Sequence, residues 1–389
     1  MRIVLAALIL VALGGCSEPL EFADWTIPVA EGVRVVEHPY TSEGERTESV
    51  GLVEDLVLGL DENDPQQRFY GLRDVDADAD GNLWVLDGGN HRVQVFDREG
   101  RFARSFGREG QGPGELTRPS WLIVAGDRVV IEADSARLSV FDLDGNHVAD
   151  AAVGDVRGLD TAFGRTDRTL YASHTEFDPE VLAAGTSGDV PTQFRVSRFD
   201  LNAGQLREFF ALDSIVIFMS SASDRRPASV ARPFASYAAG PDGDLYGITA
   251  TEYQVLAFDR DAEPKWAMRV AYAPEGLSEE IIERAIESAR RRRPETNRSD
   301  LIWPDRLPAL SHIAVDGHGH VYVYPYFDRG EELEERPVDV YSPDGELLFS
   351  GMILDRQWRR AQGDFVYAAG SDRVTGELLV WRWRLEEPF

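Results

Sequence analysis

Cysteine is nearly missing from this chain. Its 389 residues include one, Cys16, so no disulfide can form within it. Long apolar runs are missing as well. The stretch from Ile3 to Leu13 holds eleven residues, where about 20 are needed to cross a bilayer, and no later run is longer. Basic side chains are the minority, 40 against 68 acidic, for a formal charge of −28. A surface so acidic repels phosphate backbones, which argues against a nucleic-acid partner. Signatures of common catalytic centres are absent too. There is no Gly-x-Ser-x-Gly elbow, no His-Glu-x-x-His and no cysteine-centred nucleophile.

What the chain does contain is a recurring phrase. An Asp/Gly turn leads into a short apolar strand, a polar turn, and a second apolar strand ending in an aromatic residue. The clearest copy runs Asp80-Gly81-Asn82-Leu83-Trp84-Val85-Leu86-Asp87, then Val93-Gln94-Val95-Phe96-Asp97 and Gly100. Further strand endings fall at Phe141-Asp142, Phe199-Asp200, Phe258-Asp259, Val340-Tyr341 and Trp381-Arg382-Trp383. Their turns lie at Gly126-Asp127, Thr166-Asp167, Asp242-Gly243, Asp316-Gly317 and Gly363-Asp364. The shortest steps, 45 residues from 96 to 141 and 42 from 341 to 383, suit a four-stranded propeller blade. Continuous apolar strands such as Val321-Tyr322-Val323-Tyr324 are those of a sheet covered on both faces. The fold class expected is therefore all-β: a six-bladed β-propeller over residues 50–389, with one inserted α-helix. A ring of six blades leaves few exposed sheet edges. The last copy supplies two strands, so one or both of the stretches at Val33–Val36 and Leu52–Leu58 are expected to complete the final blade.

Residues Leu72 to Pro119 resemble an NHL repeat, through Asp80-Gly81-Asn82, Asn90-His91-Arg92-Val93-Gln94-Val95-Phe96, Phe106-Gly107 and Gly110-Gln111-Gly112-Pro113-Gly114-Glu115-Leu116. The resemblance implies a six-bladed propeller. NHL-like propellers include enzymes, protein-binding and RNA-binding modules and many bacterial lipoproteins, so it does not fix an activity.

The N-terminus supplies an address. Residues 1–15 read as a signal peptide, and Leu13-Gly14-Gly15-Cys16 resembles the bacterial lipoprotein box, which implies lipidation of Cys16. Ser17 after it points by resemblance to the periplasmic side of the outer membrane. Residues 16–49, rich in Glu, Pro and Thr, read as the lipidated cysteine and a tether with a possible closing strand.

Two insertions break the repeat, at 213–233, with Ile215-Val216-Ile217-Phe218-Met219, and at 274–308. The second carries a helix capped by Ser278 and stopped by Pro294, with Glu279 and Glu280 at its positive end and Arg290 to Arg293 at its negative end. Ile281, Ile282, Ala285, Ile286 and Ala289 form its apolar stripe.

Some stretches imitate chemistry. Asp76, Asp78 and Asp80 with Asp87 match much of a calcium-binding loop, although the flanks read as strands. His318 and His320 form a His-x-His turn of the kind that can hold zinc. Gly107 to Gly114 imitates a phosphate loop but lacks the Lys-Ser/Thr that would follow. The expectation is a monomeric, membrane-anchored, extracytoplasmic module that binds a protein, peptide or glycan on a loop-rich face, without a cofactor. The alternative is a metal-dependent hydrolase or lyase, lactonase-like, with its site at the channel mouth. An enzyme is thus left open, with binding preferred.

Overall fold

The computed structural model describes residues 29, 31–42, 45–61, 64–134, 137–152, 161–166, 169–177, 188–200, 205–219, 228–229, 235–249, 252–261, 263–272, 276–292, 294–303, 307–326, 335–354, 358, 360–372 and 375–386. The signal peptide and Cys16 lie outside them.

Two strands come first, β1 (Arg34–His38) and β2 (Ser49–Leu58). Blade 1 then runs β3 (Leu72–Ala77), β4 (Leu83–Asp87), β5 (Arg92–Phe96) and β6 (Phe102–Phe106). Blade 2 is β7 (Leu122–Ala125), β8 (Arg128–Asp134), β9 (Arg137–Asp142) and β10 (His147–Ala152). Blade 3 is β11 (Thr161–Thr166), β12 (Thr169–Phe177), β13 (Gly188–Asp200) and β14 (Gln205–Met219), followed by the two-residue β15 (Ala228–Ser229). Blade 4 is β16 (Ala235–Ala239), β17 (Leu245–Thr249), β18 (Gln254–Phe258) and β19 (Pro264–Val270). Helix α1 (Glu279–Arg292) and β20 (Leu301–Ile302) come next. Blade 5 is β21 (Leu310–Val315), β22 (Val321–Pro325), β23 (Glu335–Tyr341) and β24 (Leu347–Leu354). Blade 6 contributes β25 (Arg360–Gln362), β26 (Phe365–Ser371) and β27 (Leu378–Glu386).

Every expected repeat unit is the middle of a blade. The Asp/Gly turn joins the first and second strands, and its glycine takes positive φ at Gly81 (83°), Gly243 (89°) and Gly319 (89°), a conformation that costs glycine little. The Phe-Asp ending closes the third strand in blades 1 to 4 and Tyr341 closes it in blade 5, whereas Trp381-Arg382-Trp383 lies inside the third strand of blade 6, which runs on to Glu386. Blade cores form between neighbours. Trp84, Leu86 and Val95 of blade 1 pack with Leu122, Ile131 and Phe141 of blade 2, and Ile248, Val255 and Trp266 of blade 4 pack with Ile313 and Val323 of blade 5.

Closure differs from expectation in one respect. Blade 6 has three strands of its own, because the short polar β25 pairs with β26, so only one strand comes from the N-terminus. That strand is β2, antiparallel to β27 from Gly51↔Glu386 to Leu58↔Val380. Its first residues also run parallel to β24, Ser49↔Met352 and Val50↔Ile353, which ties blade 5 to blade 6. The other candidate, β1, joins blade 4 as a fifth strand parallel to β19. Between them Arg46 is buried against Asp339 of β23. Strands β1 and β2 thus strap the outer edges of three consecutive blades.

Antiparallel order also sorts the loops. Turns between first and second strands, and between third and fourth, fall on one face of the ring, here the hairpin face. Second-to-third turns and the connections to the next blade fall on the other, the connection face. Each connection must travel from an outer strand to an inner one, across roughly three strand spacings of about 4.8 Å.

Candidate functional site

Both long insertions are connections of this kind, so both lie on the connection face. Of the 213–233 stretch, Ile215–Met219 continues strand β14, paired with Gly188–Thr192 of β13, of which all but Thr192 lie beyond the last residue of β12. Ser220 to Ser223 are outside the described residues. Further on, Ala228 and Ser229 pair in parallel with Leu301 and Ile302, so the connection from blade 3 to 4 is joined to that from blade 4 to 5. Helix α1 belongs to the second. Ser278 caps it, its Oγ accepting from Ile281 N–H at 3.2 Å. Ile282 is buried and the other stripe residues are half-buried. At the far end Arg290 Nε donates to Thr296 O at 2.9 Å, closing the helix terminus.

A cleft of about 330 Å³ opens on the same face, between blades 6 and 1. It is lined by Gly59, Asp61, Gln67, Arg68 and Phe69 of the β2–β3 connection and by Glu377 and Leu378 of the β26–β27 turn. Phe69 packs edge-on against Phe96, which fixes one wall to the blade 1 core.

At the inner rim of the ring, charges from two blades meet. Asp74 and Asp76 of β3 accept the inward backbone N–H groups of Leu122 (3.2 Å) and Val124 (2.8 Å) on β7. Those donors point away from β8 and would otherwise be unsatisfied. Arg360 of β25 donates to Asp74 Oδ2 at 2.9 Å and lies 3.4 Å from Leu122 O, clasping blades 6, 1 and 2. Burial pushes the Asp74 carboxyl above its ordinary range, with Arg360 opposing.

The calcium candidates do not form one site. Asp78 and Asp80 are at the hairpin face and Asp87 at the connection face, separated by β4, a rise of about 16 Å for its five residues. The oxygens of Asp76, Asp78 and Asp87 serve the fold. Asp78 accepts from the backbones of Asp80 and Asn82, the Asn82 amide and Trp84 Nε1, at 2.8–3.1 Å. Asp87 accepts from Tyr70 N–H, Asn90 Nδ2 and Arg92 Nε. Asp76 accepts from Ala77 and Val124.

The histidines repeat that pattern. Asp316 takes the place of Asp78, accepting from the backbones of His318 and His320 at 2.9 Å, and His320 Nδ1 takes the place of the Asn82 amide at 2.9 Å. His318 Nε2 contacts Asp364 of the blade 6 turn at 2.8 Å. Both rings therefore serve turns on the hairpin face. Among the described residues no group of three or more His, Cys, Asp or Glu side chains is placed to hold a metal.

The imitation phosphate loop is filled by its own acid. Glu115 accepts from Gly112 N–H at 2.8 Å and from Arg108 Nε at 2.9 Å, which hold its carboxyl below the usual range. His91 contacts Leu116 O at 2.9 Å, and this stretch is the connection between blades 1 and 2. Sequence reasoning missed Asp74, Arg360, Arg46 and the cleft. Only Asp74 left a trace, the Asp-x-Asp alternation with Asp76.

Among the described residues no helix is long and apolar enough to cross a membrane. Residues 74–172 match the model of a family described as 6-bladed beta-propeller. Two curated proteins match over short stretches. Protein brain tumor of Drosophila melanogaster is 39% identical over 61 residues, and RING finger protein nhl-1 of Caenorhabditis elegans is 43% identical over 59. Each match covers 15% of this chain but 6% of the relative, so the likeness extends to a small part of either protein. Among solved structures, a member of the duf4221 family from Bacteroides vulgatus superposes with a TM-score of 0.51 at 14% identity, covering 87% of this chain and 99% of that one. That likeness concerns the fold alone. Repeat, sheet order and these matches agree that the chain is a six-bladed β-propeller.

Proposed function

We propose that this protein is a lipid-anchored module of the bacterial envelope, held through Cys16 on the periplasmic side of the outer membrane, that binds a protein, peptide or glycan on its connection face. The observation that carries the binding face is the β15–β20 pairing. It joins the two long insertions into one surface feature on the side where the cleft also opens. Binding is favoured over hydrolysis or a lyase reaction because Asp76, Asp78, Asp87, His318 and His320 are engaged in turns and blade-to-blade bonds. The anchor rests on Leu13-Gly14-Gly15-Cys16 and on Cys16 being the sole cysteine. With several acyl chains and about 0.8 kcal/mol per buried CH₂, such an anchor is durable.

Two measurements test this. Cells fed an alkyne fatty acid should label the wild-type protein and not Cys16→Ser, which should leave the membrane fraction; equal labelling of both would remove the anchor. Lys265 is the single lysine and is paired with Asp244, so amine crosslinkers are poorly suited. A photoreactive residue placed at exposed Asp61 on the connection face should give discrete adducts in intact envelopes, and one at exposed Asp144 on the hairpin face should not. The reverse pattern would sink the assignment of the face.

A further inference from the structure

Asparagine is scarce in this chain, and five of its six copies have no Ser or Thr two places on. Asn297 alone opens an Asn-x-Ser sequence, Asn297-Arg298-Ser299, with no proline in the middle. That triplet is the acceptor signature for N-linked oligosaccharide, in which the amide nitrogen takes the sugar and the transferring enzyme holds the hydroxyl two places on. Bacterial enzymes of this class also read an acid two places before the asparagine, and Glu295 stands there. A triplet becomes an acceptor only where the fold presents it at the surface.

Residues 294–297 lie between helix α1 and a three-residue 3₁₀ turn at Arg298–Asp300, which leads into β20. This is the insertion on the connection face. Flanking bonds hold the segment and leave its middle outside. Arg290 Nε donates to Thr296 O at 2.9 Å, Trp303 Nε1 donates to Arg298 O at 3.0 Å, and the Arg298 guanidinium meets Glu279 at 3.0 Å. Thr296 is buried in this arrangement, whereas Asn297 and Ser299 are exposed. Asn82, Asn90 and Asn146 spend their amides on the turn carboxylates of Asp78, Asp87 and Asp142. Asn297 Nδ2 donates instead to the carbonyl of Glu295, at 3.1 Å, within its own exposed segment. The Ser299 hydroxyl has no hydrogen-bond partner among the described residues. Three residues of 3₁₀ helix are a marginal structure, so the triplet can straighten locally to meet an enzyme.

We propose that Asn297 is an acceptor for N-linked oligosaccharide. This rests on the exported reading given above, because transfer takes place on the outer side of the cytoplasmic membrane. The co-reactant is an oligosaccharide carried on a polyisoprenyl diphosphate, brought by an oligosaccharyltransferase. Asn297 Nδ2 forms a bond to the anomeric carbon and gives up one proton. The bond from that carbon to the diphosphate oxygen breaks, and its electron pair leaves with the diphosphate. The sugar then stands on the connection face, on the same insertion that β20 joins to β15.

The test is mass spectrometry of the full-length protein, made in a bacterium supplied with an oligosaccharyltransferase that reads the acidic form of the signature and with its lipid-linked oligosaccharide. Peptides spanning Asn297 should carry the oligosaccharide mass. Asn297→Gln and Ser299→Ala should each remove it while Tm stays near wild type, since both side chains are exposed. Glu295→Gln should lose most of the occupancy, and Ser299→Thr should retain it. Bare Asn297 in cells that glycosylate a control acceptor, or an oligosaccharide that persists in Asn297→Gln, would overturn the site. The same spectra report whether residues 1–15 have been removed. Bare Asn297 on a processed chain overturns the site alone, and bare Asn297 on an unprocessed chain overturns the site and the exported reading together.

Discussion

Single residues hold this ring together through buried charges. Asp339 receives both terminal nitrogens of Arg46, at 2.6 and 3.0 Å, with side chains 1% and 5% exposed. Ser350 and Tyr253 add O–H donors to the same carboxylate. Burial raises the Tyr253 and Tyr341 phenols, so both remain protonated and Asp339 remains the acceptor. The Arg360–Asp74 pair is the counterpart at the inner rim. Arg360→Met would leave Asp74 with the backbone donors of Val75 and Leu122. Removing one partner of a buried pair costs about 3–5 kcal/mol at pH 7. The sign with pH follows from linkage. Burial already holds the Asp74 carboxyl above its ordinary 3.8, and losing Arg360 raises it further, so the folded state binds a proton that the unfolded state has shed. Stability of the variant then falls as pH rises above about 4, and its deficit relative to wild type should be smaller at pH 5 than at pH 7. Urea melts of both proteins at the two pH values check this, and an equal deficit would point to lost packing in place of lost charge.

At the scale of elements, strand β27 decides closure, because it pairs with β26 on one side and β2 on the other. Deleting residues 372–389 removes it and should give an aggregating product, whereas deleting residues 1–33, which leaves β1 and β2 whole, should leave the β-rich circular dichroism and Tm near wild type. A folded product of the first deletion would mean that the blade 6 assignment is wrong. The blade count is legible because five of the six blades repeat a glycine in the first turn and every third strand carries an aromatic residue at or near its end. Strand β25 escapes notice because Arg360-Ala361-Gln362 carries no apolar pattern, although it pairs with β26. Strands β1 and β2 were visible as strands, but which sheet each joins depends on partners more than 200 residues away, for which a local period carries no information. Arg46 lay in a stretch that reads as tether, and its partner is 293 residues distant. Ile215–Met219 looked like an insertion because it overran the repeat; it is one outer strand grown longer with its neighbour. The cleft left no sequence signal, since polar connection residues look alike whether or not they surround a cavity.

For the whole molecule, charge is the dominant long-range term. With a formal −28, the folded chain repels itself, and counter-ions relieve that strain over a Debye length of about 10 Å at 0.1 M salt. Raising NaCl from 10 to 150 mM should therefore increase Tm by a few degrees. This screening is distinct from a cation bound at one place. The oxygens of Asp76, Asp78 and Asp87 already accept turn and blade-to-blade donors, and Asp87 lies a strand's length from the other two. Calcium chloride at matched ionic strength should then raise Tm no more than sodium chloride does, and EDTA should leave Tm unchanged. A calcium-specific rise that saturates at low millimolar concentration would instead require a carboxylate cluster that these bonds do not leave room for, and it would restore the metal-dependent reading of the ring. Scanning fluorimetry across the two salt series, with the chelator arm run at constant sodium, separates the outcomes because screening grows continuously with ionic strength while a bound ion saturates.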